Sequence, residues 1–289
     1  MRDSPWHQTP WDWRASVQFI CGGTGTGLLL FTTLAALADG VWLLRTGLLA
    51  LAFVSLGLFM VWIKLGRRWR MLFVFLNPRT SWMTREAFLS LPVLGFGLLG
   101  IWLRSTALVG VAALIGMGFL YAQARILRAA RGIPAWRAPL AVPLIVVTGL
   151  TEGAALLTFA TLPFGAVGAW LPATLLVLVA LRLWSWTIYQ QALSAPGAAP
   201  AGTLAELARV RRGIVVSGHL MPLAALVIAL VIPNAVALAW LAGLGALGMG
   251  WRLKYTLIAR AAYNQGFAIE HTPARTPGFA GPHVKPGWN

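Results

Sequence analysis

Acidic side chains are nearly missing: the 289 residues hold seven Asp and Glu against 23 Lys and Arg, a formal net charge of +16. Cysteine occurs once, at Cys21, which excludes an internal disulfide and a cysteine-ligated iron–sulfur cluster within the chain. Charged residues make up only 10% of the chain, whereas soluble domains carry about 25%. Of His7, His219, His271 and His283, only His219 falls inside an apolar run, so no pair of histidines can face each other across a membrane to hold a haem. No HExxH, GxSxG, Walker A or Cys/His metal spacing occurs, and no metal ligand set is expected. The excess positive charge is split among short segments, which argues against a nucleic-acid surface.

Apolar residues are what the chain has in plenty, at 58% of the total and a mean hydropathy of +0.75. Runs of about 20 apolar residues cross a bilayer as helices. Eight such runs can be marked, at 16–37, 41–63, 86–103, 106–127, 138–160, 165–190, 213–232 and 235–258. The pattern predicts an all-α integral membrane protein of eight transmembrane helices over 1–260, with an extended cytoplasmic tail at 261–289. Gly23 and Gly27 in the first run and Gly149 and Gly153 in the fifth share the GxxxG spacing that lets membrane helices approach closely. Trp13-Arg14-Ala15 and Trp136-Arg137-Ala138 precede those two runs, and the echo suggests two four-helix halves. Gly95, Gly97 and Gly100 spell GxGxxG, as do Gly243, Gly245 and Gly248. Both sets lie inside apolar helices with no βαβ unit, so they read as packing residues. Residues 191–203 read as a linker, and Thr203 with Glu206 predicts a capping box and a short cytoplasmic helix before the seventh run.

All of the 23 Lys and Arg except Arg45 and Arg104 fall on one side of this arrangement. The positive-inside rule then puts both termini and the 64–86 loop in the cytoplasm. Three intramembrane groups stand out. Glu152 lies about 14 residues into its run, roughly 20 Å from the cytoplasmic end at about 1.5 Å per residue. A lone carboxyl there is either a neutral acid bonding a neighbouring helix or a station on a proton path. His219 is a second proton-path candidate, or else a packed core histidine. Arg182, like Arg125, is close enough to a helix end to snorkel.

The densest feature is the stretch from Lys64 to Glu86, KLGRRWRMLFVFLNPRTSWMTRE. Cations alternate with Trp69, Phe73, Phe75 and Trp82, the composition of a headgroup-level surface. Asn77-Pro78 signals a turn, giving a short amphipathic piece, a turn and a new helix that Glu86 opens, facing Lys64 across the loop.

On these residues the chain resembles the DMSO-reductase anchor family of the polysulfide-reductase/NrfD type. They are Gly22–Gly27, Lys64-Leu65-Gly66-Arg67 ending the second span, and Asn77-Pro78-Arg79-Thr80-Ser81-Trp82-Met83-Thr84-Arg85-Glu86 opening the third. Within the family it looks most like the anchors of cytoplasmic sulfite dehydrogenases and phenylacetyl-CoA:acceptor oxidoreductases, and Asn264-Gln265-Gly266-Phe267 adds to that likeness. The resemblance implies a haem-free anchor in a bacterial inner membrane. Such an anchor exchanges electrons between ubiquinone or menaquinone and a four-cluster iron–sulfur subunit, which serves a molybdopterin catalytic subunit. In the family, a histidine before Leu-Gly and the glutamate opening span three are implicated at the quinol site. Glu86 matches the glutamate, and Lys64 stands where the histidine would. On this reading Glu86 accepts the proton, and Lys64 and Arg67 donate to or stabilise the quinone. Trp69 and Trp82 form its walls, with Asn77 and Arg85 beside them. The cationic face would dock an acidic partner. An ion-coupled transporter using Glu152 and His219, and a purely structural anchor without a quinone site, are the competing readings.

Overall fold

A chain this rich in apolar runs must satisfy its backbone polar groups inside each run, and in a bilayer a helix does so. The computed structural model describes residues 5–42, 44–161, 167–232 and 235–266. Among them every regular element is a helix, apart from one isolated bridge between His7 and Tyr263. In chain order these are α1 (Trp13–Ala38), α2 (Leu44–Lys64), a 3-10 helix (Arg68–Leu76), α3 (Trp82–Trp102) and α4 (Thr106–Ala129). A short α5 (Pro134–Arg137) precedes α6 (Ala141–Thr161) and α7 (Trp170–Ser194). Next come α8 (Ala201–Val215), a π turn (Val216–Leu220) and α9 (Met221–Val231), which together form one 31-residue helix. The last are α10 (Val236–Tyr255) and a second π turn (Thr256–Arg260).

Seven helices among the described residues are long and apolar enough to cross a membrane: α1, α2, α3, α4, α6, α7 and the Ala201–Val231 run. Eight spans were expected. The eighth region is helical as α10, whose final turn carries Arg252 and Lys254, but it is not among the seven. The expected capping box does not form. α8 starts after Pro200 with no side-chain cap, the Thr203 hydroxyl donates to the Ala261 carbonyl at 2.9 Å, and Glu206 pairs with Arg209. The helix expected before the seventh run forms as the first part of the 31-residue helix, joined to α9 through the π turn.

The loop after α2 forms as expected: a 3-10 helix, a turn at Asn77-Pro78, and α3 capped by Ser81, whose Oγ accepts from the Thr84 N–H at 3.2 Å. The cap moves the start of α3 to Trp82, so Glu86 sits beyond the first turn and not at the helix opening. The tail begins tied to the N-terminal segment and to α5, with Asn264 N donating to Trp6 O at 2.8 Å and Arg137 to Gln265 Oε1 at 2.8 Å. Residues from 267 onward, including Phe267, His271 and His283, lie outside the described residues.

α1 and α6 form the centre. In each, 72% of the most apolar stretch is buried, against 33% in α2 and α3. The two GxxxG pairs meet there. A Cβ on Gly27 would collide with the Gly149 carbonyl, and one on Gly153 with the backbone of Gly27 and Leu28. Around this crossing the pairing repeats: α1 lies against α2 and α4 and α3 against α4, while α6 lies against α7 and α10 and α9 against α10. Four of the six GxGxxG glycines pack as expected, Gly97 against Leu51, Gly100 against Val109, Gly243 against the Ala155 carbonyl and Gly245 against the Ser217 carbonyl, whereas a Cβ at Gly95 or Gly248 meets nothing within 4 Å. Gly153→Val should therefore destabilise the protein at or beyond the roughly 3 kcal/mol upper range of core overpacking. The check is recovery of folded, monodisperse protein in detergent. Gly95→Val is the control, since a Cβ at Gly95 meets nothing within 4 Å.

Candidate functional site

Two polar centres lie against α1, one reached through Gln18 and the other through Thr24. The first belongs to a cleft of about 790 Å³ between α2, the 3-10 helix and α3. Its walls are apolar, with Leu58, Phe59 and Trp62 from α2, Phe75 from the 3-10 helix and Met83 and Leu91 from α3. Glu86, Gln18 and Ser90 supply polar groups, and Arg70 stands on the lining where the 3-10 helix covers the cleft. Glu86 is only 3% exposed. Gln18 Nε2 donates to both of its oxygens, at 3.0 and 3.1 Å, and Gln123 Nε2 donates to Oε1 at 3.0 Å. No Lys or Arg forms an ion pair with Glu86 among the described residues. Its charge is offset by two neutral amides, and Gln123 Oε1 has no protein partner among those residues. An amide can turn, donating to a carboxylate or accepting from a protonated acid, so this shell can serve either form of Glu86.

Of the loop residues expected at the site, Glu86 alone lines the cleft. Lys64 closes α2 with its Nζ 5.6 Å from the centre of the Trp11 ring, and does not meet Glu86. It lies near Asp12, whose carboxyl burial would raise, but which hydrogen bonds from Arg14 and Ala15 and the Lys64 charge together hold below its ordinary value. Arg67 lies with Leu65, Gly66 and Arg70 around a separate shallow recess. Trp69 is 85% exposed. The Asn77 carbonyl accepts from Ser81 N at 3.2 Å. Trp82 is edge-on to Tyr121 and sits beneath Arg85 and Arg125, at 4.2 and 4.4 Å. Arg85 donates to the Pro78 and Arg79 carbonyls at 3.0 and 2.7 Å, and so holds the turn together. Sequence reasoning passed over Gln18, Gln123, Trp62 and Arg70. The available signal was the presence of two amides inside apolar runs, since such groups seek interhelical partners.

The second centre corrects the reading of Glu152 as a lone carboxyl. Lys254 Nζ lies 2.6 Å from its Oε2, both side chains are fully buried, and Thr24 Oγ1 donates to the same oxygen at 2.8 Å. Lys254 also donates to the Phe19 carbonyl at 3.2 Å, and Trp251 Nε1 to Thr24 Oγ1 at 3.0 Å. Lys254 is thus a bundle residue and not one of the tail-side cations. Arg182 does not snorkel. It is 1% exposed, and it donates to the Ala246 carbonyl at 2.8 Å, the Gly218 carbonyl at 2.7 Å and His219 Nε2 at 3.1 Å. A guanidinium only donates, so His219 Nε2 carries no proton and its Nδ1–H faces the Ile214 carbonyl at 2.7 Å. Both ring nitrogens are occupied. Glu152 Oε1 is buried without a hydrogen-bond partner among the described residues, and Gly250 lets α10 pack over it and Arg182 Nη1, since a Cβ there would lie 2.9 Å from each.

No protein-family model and no curated protein matches this chain.

Breaking a buried ion pair from one side strands the other charge, which costs about 3–5 kcal/mol, whereas removing both charges costs much less. Lys254→Met should therefore lower the thermal unfolding midpoint markedly. The double variant Glu152→Gln/Lys254→Met should recover most of that loss. Equal losses in single and double variants would show that packing, and not charge, holds this centre.

Proposed function

We propose that the chain is the haem-free, quinone-reactive membrane anchor of a molybdopterin oxidoreductase complex, exchanging electrons between the quinone pool and an iron–sulfur subunit. The observation that carries this reading is Glu86, a buried acid without a counter-cation among the described residues, at an apolar cleft between two membrane-crossing helices. Two further points support it: the loop motif from Asn77 to Glu86, and a cleft whose size suits an aromatic headgroup with part of an apolar chain. A quinone supplies a carrier of two electrons and two protons. Glu86 would hold the proton exchanged with it, and Gln18 and Gln123 would steady the carboxyl in both forms. Trp62 and Phe59 would supply apolar walls that keep water away, and Arg70 a positive charge at the rim. Trp69, Trp82, Asn77 and Arg85 shape the loop above it, and Lys64 joins the loop to the N-terminal segment.

In this reading α10 is the eighth span, both termini face the cytoplasm of a bacterial inner membrane, and the cationic cytoplasmic surface docks the acidic partner. Fusions of a cytoplasm-active reporter at the 191–203 linker and at the C-terminus should both be active. Activity from a periplasmic reporter at either place would reverse the orientation.

Glu86→Gln preserves size and hydrogen bonding but removes the titratable group. Assembly with partner subunits, and turnover with a soluble electron carrier, should survive. Quinone-linked turnover should fall by roughly two to three orders of magnitude, the scale of a lost acid–base group. Lys64→Met is the comparison, and a loss matching that of Glu86→Gln would shift the site toward Trp11. Full quinone activity in Glu86→Gln would overturn the assignment. The buried Lys254–Glu152 pair beside Arg182 favours a second reading, an ion-coupled transporter. Co-purification decides between them, because an anchor brings iron–sulfur and molybdenum subunits and a transporter does not.

A further inference from the structure

The 3-10 helix is tethered at both ends to helices that cross the membrane, so covalent connectivity holds it at the membrane boundary. It is about 18 Å long at about 2.0 Å per residue, too short to leave that level. No acidic residue occurs between Gly40 and Arg85, and the segment carries Lys64, Arg67, Arg68, Arg70 and Arg79. Some of these cations are already engaged. Lys64 stands over Trp11, and Arg68 lies 4.9 Å from the Trp62 ring centre. Arg67 and Arg70 differ: both are exposed, and neither forms an ion pair among the described residues. They face one shallow recess of about 420 Å³ together with Leu65 and Gly66. Gly66 is not packed against any neighbour, since a Cβ there meets nothing within 4 Å.

The recess adjoins the Glu86 cleft, because Leu65 and Arg70 line both. Two exposed cations therefore stand beside an apolar trough. The same 3-10 helix exposes Trp69 at 85% and Leu76 at 73%, apolar surface suited to the interfacial zone at this level. One ligand chemistry meets all of these features: an anionic phosphate joined to apolar chains.

We propose that Arg67 and Arg70 form a binding site for the phosphate of an anionic phospholipid, seated at the mouth of the Glu86 cleft with its chains in the bilayer. Two guanidiniums offer paired donors to phosphate oxygens, which a zwitterionic headgroup, carrying its own cation, satisfies less well. The proposal goes beyond the quinone reading and does not depend on it. The lipid would close the cytoplasmic edge of the cleft and leave the space between α2 and α3 open.

The test uses the full chain in neutral detergent, titrated with phosphatidylglycerol, with phosphatidylcholine and with inorganic phosphate, and bound molecules counted by native mass spectrometry. Phosphatidylglycerol should bind preferentially, and Arg67→Gln/Arg70→Gln should weaken it by roughly thirtyfold, the sum expected for two surface cations. Arg211→Gln/Arg212→Gln, which removes the same charge from exposed positions on α8, should leave binding unchanged. Glu86→Gln should also leave it unchanged, so a failure of the quinone reading would not touch this result. Equal binding of the two lipids, or retained binding in the Arg67/Arg70 variant, overturns the site. Inorganic phosphate binding as tightly as the lipid makes it a free-phosphate site and overturns the lipid assignment. If the variant keeps its lipid but loses an acidic subunit that co-purifies with the wild type, the recess is a protein contact and the proposal falls.

Discussion

How closely α1 approaches its neighbours decides what the rest of the bundle can hold. In a helix each Cβ leans toward the N-terminus and shields the carbonyl one turn earlier. Gly22 and Gly23 remove that shield from the carbonyls of Gln18 and Phe19. Gln123 reaches the first at 3.4 Å and Lys254 the second at 3.2 Å. A Cβ at either glycine would strike the corresponding side chain. One turn further on, Gly27 meets Gly149 and Gly153 backbone to backbone. The same short glycine run thus sets the α1–α6 crossing and admits one polar side chain to each of the two buried centres.

Those centres balance buried charge in different ways. Glu86 is held by two neutral amides and has a cleft beside it, an arrangement that tolerates a change of protonation because no cation among the described residues is stranded when the proton arrives. Glu152 is matched to Lys254 at 2.6 Å, and the bundle closes over both. Removing charge there leaves an unpaired ion where water cannot reach it. The first arrangement suits exchange with a ligand. The second suits joining α1, α6 and α10 at one point, with Arg182 extending the polar contacts to α10 and the π turn of the Ala201–Val231 helix. That turn presents the Gly218 carbonyl and the His219 ring to Arg182 together, in keeping with the frequent appearance of single π turns where a helix does something other than span.

Much of this was legible in the chain. Apolar runs separated by short polar segments dictate helices, because backbone groups in a bilayer have no other partner. The GxxxG pairs announced a close approach, and Asn77-Pro78 announced the turn that separates the 3-10 helix from α3. Glu86 could be singled out because an acid at a membrane boundary is costly and scarce in this composition.

What the sequence by itself determined was the helical membrane architecture, the cationic loop and the one acid within it, since each follows from local chemistry and spacing. The tertiary structure alone decided which groups share a site. Lys254 follows Glu152 by 102 residues, Gln123 follows Gln18 by 105, and no local pattern can express contacts of that range. Arg182 and Lys254 read as boundary cations because position along a run says how deep a residue starts, not which way its side chain turns. Lys64 and Glu86 looked paired across their loop, yet the Ser81 cap and the tilt of Lys64 toward Trp11 send them to different neighbours. Helix propensity and hydropathy are properties of neighbours in the chain, whereas a binding site is a property of neighbours in space, and here the glycines of α1 convert the one into the other.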